Sequence, residues 1–366
     1  MGSMKAAEYA RVAIESILNR QSKGELIYKG LFDYPQGVFL AGMEQIYIIC
    51  HEEKYFEHIQ KWMDDQIDRI MKVAEKDGWS VFSALDFRKS GTLLFGLYDK
   101  TGDEKYLKVA EQLAESMKSY PVNEYGGFWH TKWTKDEMWL DGLYMAGPFL
   151  TMYAAYSGEE EYYDMVANQL LVVWEHTRDP ESGLPRHGWD CSKGAEWADP
   201  VTGLSEEIWG RALGWYTVAM CDILDYFPKD HKKYQRIVDV LNEFLKLVIQ
   251  YQDEADGRWY QVVDKGDRND NWLENSCSCL LTYAIAKAVK KGYLEAEYMD
   301  NAIKGYEGVI RSLKYDEDGN MLIGDICVGT CIDSGTYEHY VGRATSVNDL
   351  HGSGAFILMC SQFAEG

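Results

Sequence analysis

Two kinds of apolar segment alternate along this chain. Residues 91–98 (GTLLFGLY) have no polar face, while the stretch that follows sets Tyr106, Ala110, Leu113 and Met117 at helical spacing with Lys108, Glu111 and Glu115 between them. A helix that is apolar all round must be covered on every side, and an amphipathic one on a single face. The first kind therefore predicts an inner layer of helices and the second an outer layer wrapped around it.

The alternation is a repeat. Tyr9, Tyr55, Tyr106, Tyr162, Tyr234 and Tyr298 each open an amphipathic stretch after a polar or acidic run, and each has an apolar residue four positions on: Ala13, Ile59, Ala110, Val166, Val238 and Ala302. Apolar segments lie between them at 37–49, 91–98, 142–156, 214–226 and 276–289, and a last one opens at His351-Gly352-Ser353. Six inner and six outer helices follow, an all-α chain whose hairpins can close into an (α/α)6 barrel. An open helical solenoid has the same periodicity. The surplus length gathers before the inner segments, at 123–139, 177–209, 252–274 and 315–350, in loops rich in Gly, Asp, Trp, Tyr and His. Loops collected at one end of a rigid scaffold are where binding chemistry concentrates, and helix N-termini facing the same mouth favour anions.

Composition narrows the function more than the fold. No Pro/Ser-rich linker interrupts the repeat, so one domain over 4–366 is expected, with Met1-Gly2-Ser3 a cloning remnant before a native Met4. Among 366 residues, 46% hydrophobic and 14% aromatic content suffices for a large core, yet no apolar run reaches the roughly 18 to 20 residues of a membrane span. The net charge of −22 excludes binding of nucleic-acid phosphates, which needs a basic surface. No apolar secretory core follows Met4, so the cytoplasm is the expected compartment. The eight cysteines form no CxxC pair and no zinc spacing, and are expected as reduced structural thiols. Phosphate-loop, dinucleotide-binding and HExxH motifs are absent, and the chain offers no site for a metal or an organic cofactor.

Acidic residues in apolar company carry the candidate chemistry. Asp141 interrupts the run Met138-Trp139-Leu140-Asp141-Gly142-Leu143 where an inner helix begins, and Asp86 holds the corresponding place before the previous inner helix. Adjacent hairpins bring both to one rim, as a pair of acids for glycoside chemistry or as helix N-caps. Low polarity is expected to raise the pKa of Asp141 and suit it to proton donation. His187-Gly188-Trp189-Asp190 and Trp209-Gly210-Arg211, with Trp215, flank one long loop. Arg211 can fork onto a carboxylate and tryptophan faces suit sugar rings, or these residues are core tryptophans and a structural ion pair. His130 follows Gly127-Phe128-Trp129, and Arg343 and His351 stand at the last rim as substrate contacts or as braces of the loop.

As an ordered set, Gly127-Phe128-Trp129-His130, the run around Asp141, His187-Gly188-Trp189-Asp190, Glu196-Trp197-Ala198-Asp199-Pro200, Trp209-Gly210-Arg211 and Asn348-Asp349-Leu350-His351-Gly352 resemble the unsaturated rhamnogalacturonyl hydrolases, glycoside hydrolase family 105. The resemblance spans nearly the whole chain and implies the closed barrel. It also implies Asp141 as catalytic acid/base, Asp86 as the second active-site carboxylate, and His130, His187, Trp209, Arg211 and Trp215 as lining of the sugar site. The implied partner is an unsaturated uronyl oligosaccharide, cleaved at a 4,5-unsaturated uronic acid on its non-reducing end, typically linked to rhamnose. Pro185-Arg186 before His187 departs from the family pattern, where an aromatic is commoner.

Three other readings fit parts of the pattern. An unsaturated glucuronyl hydrolase acting on glycosaminoglycan disaccharides shares the chemistry. A sugar epimerase on a similar barrel would use His187 and His351. A non-catalytic carbohydrate-binding or scaffold protein would need neither acid. The oligomeric state is open between monomer and homodimer.

Overall fold

The computed structural model describes residues 5–364, and the expected cloning remnant at 1–3 lies outside them. The amphipathic stretches form outer helices α1 (Ala6–Ser22), α3 (Glu53–Asp77), α5 (Lys105–Lys118), α7 (Glu161–His176), α9 (Tyr234–Ile249) and α11 (Met299–Ser312). Between them run inner helices α2 (Tyr34–Cys50), α4 (Leu93–Thr101), α6 (Leu140–Ser157), α8 (Gly210–Ile223), α10 (Asn275–Lys291) and α13 (Leu350–Phe363). A 3₁₀ segment, Leu85–Thr92, leads into α4, and a short α12 (Tyr337–Val341) sits in the last long loop.

The inner helices are buried on all sides, as their composition requires. Every residue of α6 from Leu140 to Thr151 is buried, whereas α5 buries only the stripe Tyr106, Val109, Ala110, Leu113, Ala114 and Met117. Each inner element packs on the next: α2 on the 3₁₀ segment, that on α6, α6 on α8, α8 on α10, α10 on α13, and α13 back on α2. The ring is therefore closed, an (α/α)6 barrel rather than an open solenoid. Its seam is tight. A Cβ on Gly354 of α13 would lie 2.8 Å from the backbone nitrogen of Phe39 in α2, so only glycine allows this approach.

The recurring tyrosines have a structural cause. The hydroxyls of Tyr55, Tyr106 and Tyr162 donate to Glu15, Asp64 and Glu115 at 3.2, 2.9 and 3.2 Å, each acid lying on the preceding outer helix. These three rings are buried, which contributes about 2 kcal/mol apiece. Tyrosine combines that apolar body with a polar tip that reaches an acid on the neighbouring helix.

Helix α2 begins earlier than its apolar run suggested, at Tyr34 with Pro35 in its first turn, and so does α8, at Gly210, whereas a 3₁₀ segment spanning Gly91 holds α4 back to Leu93. The long loops are pinned by short antiparallel pairs: β1 (Glu137–Trp139) with β2 (Gly188–Asp190), β3 (Trp259–Tyr260) with β4 (Leu273–Glu274), β5 (Lys314–Tyr315) with β6 (Met321–Leu322), and β7 (Ile326–Cys327) with β8 (Thr345–Ser346). Cys221, Cys277, Cys279, Cys327 and Cys360 are buried free thiols, whereas Cys331 is exposed. Among the described residues no helix is long and apolar enough to cross a membrane.

Candidate active site

A cavity of about 630 Å³ opens where the N-termini of α2, α6 and α13 meet, walled by Asp33, Tyr34, Asp86, His130, Asp141 and His351 among others. Asp86 and Asp141 share this wall. Neither caps a helix: Trp139 is the N-cap of α6, and Asp141 sits inside its first turn with His187 as its hydrogen-bond partner.

The β1–β2 pair makes that contact. Trp139 pairs with Gly188, and the Leu140 amide donates to the His187 carbonyl at 3.0 Å, so the two chains are locked one residue away from both side chains. His187 Nε2 lies 3.0 Å from Asp141 Oδ2, and its Nδ1 lies 2.7 Å from the Tyr340 hydroxyl. A carboxylate only accepts, so Nε2 carries the hydrogen of that contact, and Nδ1 meets the hydroxyl of Tyr340, which bears a proton of its own. Burial, followed by the charge of Asp141, pushes the Tyr340 phenol well up, and it keeps that proton.

The expected rise in the pKa of Asp141 is corrected by this geometry. Burial does push the carboxyl up, but His187, by charge and hydrogen bond, more than offsets it and holds Asp141 below the usual range. Asp86 moves the other way, up to about 7, through burial, then the charge of Asp141, then that of Asp33. Below about pH 7 the unliganded pair therefore holds one proton, and it rests on Asp86.

A second relay stands across the mouth. His351 Nε2 lies 2.6 Å from the Tyr34 hydroxyl and Nδ1 2.5 Å from Asp349 Oδ1, while Asp349 also caps α13 by accepting from the His351 amide at 3.0 Å. Burial lowers the pKa of His351, and it works as a neutral imidazole. His130 lies flat on Trp139, with centroids 4.2 Å apart at 12°, and burial lowers its pKa to about 4. Its Nδ1 has no hydrogen-bond partner among the described residues.

Other expected sugar contacts stand behind the wall. Arg211 does not fork onto a carboxylate: at 1% exposure it donates to the carbonyls of Cys327 at 2.5 Å and Val328 at 2.7 Å and stacks over Trp209. Trp209 is buried against Tyr340 and His187 and donates to Gln261 at 3.1 Å. Trp215 lies one helical turn beyond Arg211 on the same face of α8, about 5.4 Å deeper. There it is fully buried and stacked on Tyr144 with centroids 5.0 Å apart, off the cavity wall. His187 is also fully buried, so it acts on Asp141 and not directly on a sugar. Arg343 braces the loop, donating to Thr330 Oγ1 at 3.1 Å and to the Gly329 carbonyl.

Arg211 and Arg343 thus hold the carbonyl side of one loop, 327–331, whose residues Gly329, Thr330 and Cys331 line the cavity. Among the described residues, the backbone N–H groups of 329–331 donate to no protein acceptor. Consecutive free amides of this kind favour an anion.

Sequence reasoning missed Tyr34, Asp33, Tyr340 and the 329–331 loop. Asp33-Tyr34-Pro35 carries a readable helix-start signature, an acid followed by proline at the first turn. Nothing in the sequence marks Tyr340, whose role comes from a contact across 153 positions.

Comparison with known proteins agrees with this architecture. The profile of Glycosyl Hydrolase Family 88 matches residues 9–365. The unsaturated rhamnogalacturonyl hydrolase YesR of Bacillus subtilis is 26% identical over 325 residues, covering 87% of this chain and 86% of the relative. A glycoside hydrolase from family 105 of C. acetobutylicum superposes with a TM-score of 0.86 at 29% identity, covering 97% of this chain and 99% of the other. The unsaturated glucuronyl hydrolase of Bacillus sp. GL1, at 13% identity and a TM-score of 0.70 over 97% of this chain and 95% of its own, shares the fold.

Proposed function

This chain belongs to glycosyl hydrolase family 88, and from that membership we propose that it hydrolyses a 4,5-unsaturated uronic acid, an unsaturated galacturonate linked to rhamnose, from the non-reducing end of lyase-generated oligosaccharides. The likeness to YesR over most of both chains supports this substrate over a glycosaminoglycan disaccharide. The observation that carries the reaction is the pair Asp86 and Asp141 on one cavity wall with opposite pKa displacements.

In such a uronide the ring oxygen and the C4=C5 bond form an enol ether. Protonation at C4 leaves an oxocarbenium ion at C5, water adds there, and the resulting hemiketal opens and expels the rest of the chain. Asp141 is the proton donor in this reading. A vinylic carbon is a weak base and needs a strong acid, and the anion that Asp141 leaves behind is stabilised by His187. The substrate's own carboxylate, seated on the 329–331 amides, adds negative charge and excludes water, which raises the proton affinity of Asp141 on binding. After transfer, the Asp141 carboxylate draws the proton from the water that attacks C5.

Asp86 stays protonated and donates a hydrogen bond to substrate or to that water. Arg211 acts through the loop it braces. The free cysteines suit a reducing compartment, and we place the reaction in the cytoplasm. The test is loss of the ultraviolet absorbance of the unsaturated bond with unsaturated galacturonyl-rhamnose as substrate. Turnover of glycosaminoglycan disaccharides in its place would move the specificity to the glucuronyl hydrolases.

A further inference from the structure

A second cavity, also of about 630 Å³, opens beside the first and shares Tyr28 as a wall. One wall is a stripe of α3. His58, Lys61, Trp62, Asp65 and Arg69 recur at three- and four-residue steps, so they share a helix face, and Lys29 faces them from the loop before α2. The chain as a whole is strongly acidic, with a net charge of −22. This groove carries three cations and, among the described residues, one acid. Asp65 is engaged by Arg69 at 3.8 Å, and Arg69 also donates to the Lys29 carbonyl at 2.8 Å, which ties the loop to the helix. Lys29 and Lys61 therefore meet no free carboxylate on the groove wall. Burial and then Lys61 lower the pKa of His58, leaving a neutral hydrogen-bonding imidazole at physiological pH. Trp62 is half-buried against Phe32, and its indole borders the groove.

A basic groove with an aromatic wall, sharing Tyr28 with a cavity for an anionic sugar, matches an acidic oligosaccharide. Tryptophan covers the apolar face of a pyranose ring, ammonium groups meet its carboxylate, and the volume suits a ligand of disaccharide size. We propose that the groove holds the leaving portion of the substrate, and that it selects chains in which a further uronate follows the sugar next to the cleaved bond. This rests on the proposed reaction and adds the specificity of the leaving group to it.

The experiment compares kcat/KM for unsaturated galacturonyl-rhamnose with that for a tetrasaccharide carrying one more galacturonate, in wild type and Lys29→Ala/Lys61→Ala. The tetrasaccharide is expected to be preferred at low ionic strength, with the preference shrinking as NaCl is raised. In the double variant the tetrasaccharide-to-disaccharide ratio is expected to fall about fivefold, the yield of two exposed ion pairs. Methyl esterification of the inner galacturonate should reproduce that fall in the wild type.

A ratio unchanged by the double variant, with the disaccharide still cleaved, overturns the inference and leaves the reaction standing. So does a ratio that collapses in Trp133→Ala and ignores the lysines. Trp133 is 78% exposed on a turn that Thr131 ties to Ala84 of the cavity wall, and such a result would route the chain over that turn. A wild type that leaves both substrates intact overturns the reaction itself, and this inference with it.

Discussion

Asp141 Oδ2 and His187 Nε2 lie 3.0 Å apart, across 46 positions of sequence, because the β1–β2 pair ends two residues before Asp141 and one residue after His187. That contact decides the protonation of the site. Without it, burial would oppose the Asp141 anion.

The relay behind Asp141 is open to substitution. His187→Ala is expected to lower kcat by roughly 10- to 100-fold, the usual cost of losing a positioning hydrogen bond behind a reactive group. Tyr340→Phe removes only the outer donor and should cost less than His187→Ala. The readout that separates positioning from mere packing is the pH–rate profile. Asp141 acts in its protonated form, and in His187→Ala its anion loses a stabilising partner, so the fall in activity that follows ionisation of Asp141 should move to higher pH.

Asp86 predicts the alkaline limb. With its carboxyl raised to about 7 and required in protonated form, activity should decline as pH rises through that value, and Asp86→Asn should flatten this limb while lowering the maximum rate. The stability sign follows from the same shift. Between about pH 4 and pH 7 the native state keeps a proton that the unfolded state has released, so Asp86 costs stability progressively as pH rises through this window. Thermal melts should show Asp86→Asn gaining on wild type from pH 4 to pH 8.

Trp215 separates core from cleft. Being stacked on Tyr144 away from the cavity, it should affect folding and not substrate affinity: Trp215→Phe is expected to lower Tm while leaving KM within about twofold. A large rise in KM with unchanged Tm would return it to the sugar site.

Ring closure is testable at the seam. Gly354→Ala puts a methyl 2.8 Å from the Phe39 backbone nitrogen, so α13 and α2 must separate. The expected loss is about 1 to 3 kcal/mol in denaturant unfolding, the range seen for overpacked cores.

The fold was legible because its physics is local. An all-apolar run and an amphipathic one differ within a dozen residues, and the six tyrosines advertise the hairpin contacts that Tyr55, Tyr106 and Tyr162 make. Closure was not legible, since it depends on α13 meeting the first hairpin across the length of the chain. The site was half legible. Asp86, Asp141 and His351 stood out as polar residues at the starts of inner segments and His130 for following Gly127-Phe128-Trp129, and the fold sets all four on the cavity wall. Arg211 and Trp215 were read by residue type as sugar contacts, but depth along α8 turns one into a loop brace and the other into core. The direction of the Asp141 pKa was misread for the same reason, because only tertiary contact supplies His187.

The most direct test is Asp141→Asn assayed on unsaturated galacturonyl-rhamnose, with circular dichroism and Tm confirming the fold. General acid–base catalysis accounts for about 10²- to 10⁴-fold in rate, and the variant is expected to lose at least that much kcat with little change in KM. A folded Asp141→Asn enzyme with near-normal turnover would contradict the account, the more so if Asp86→Asn were the inactive one.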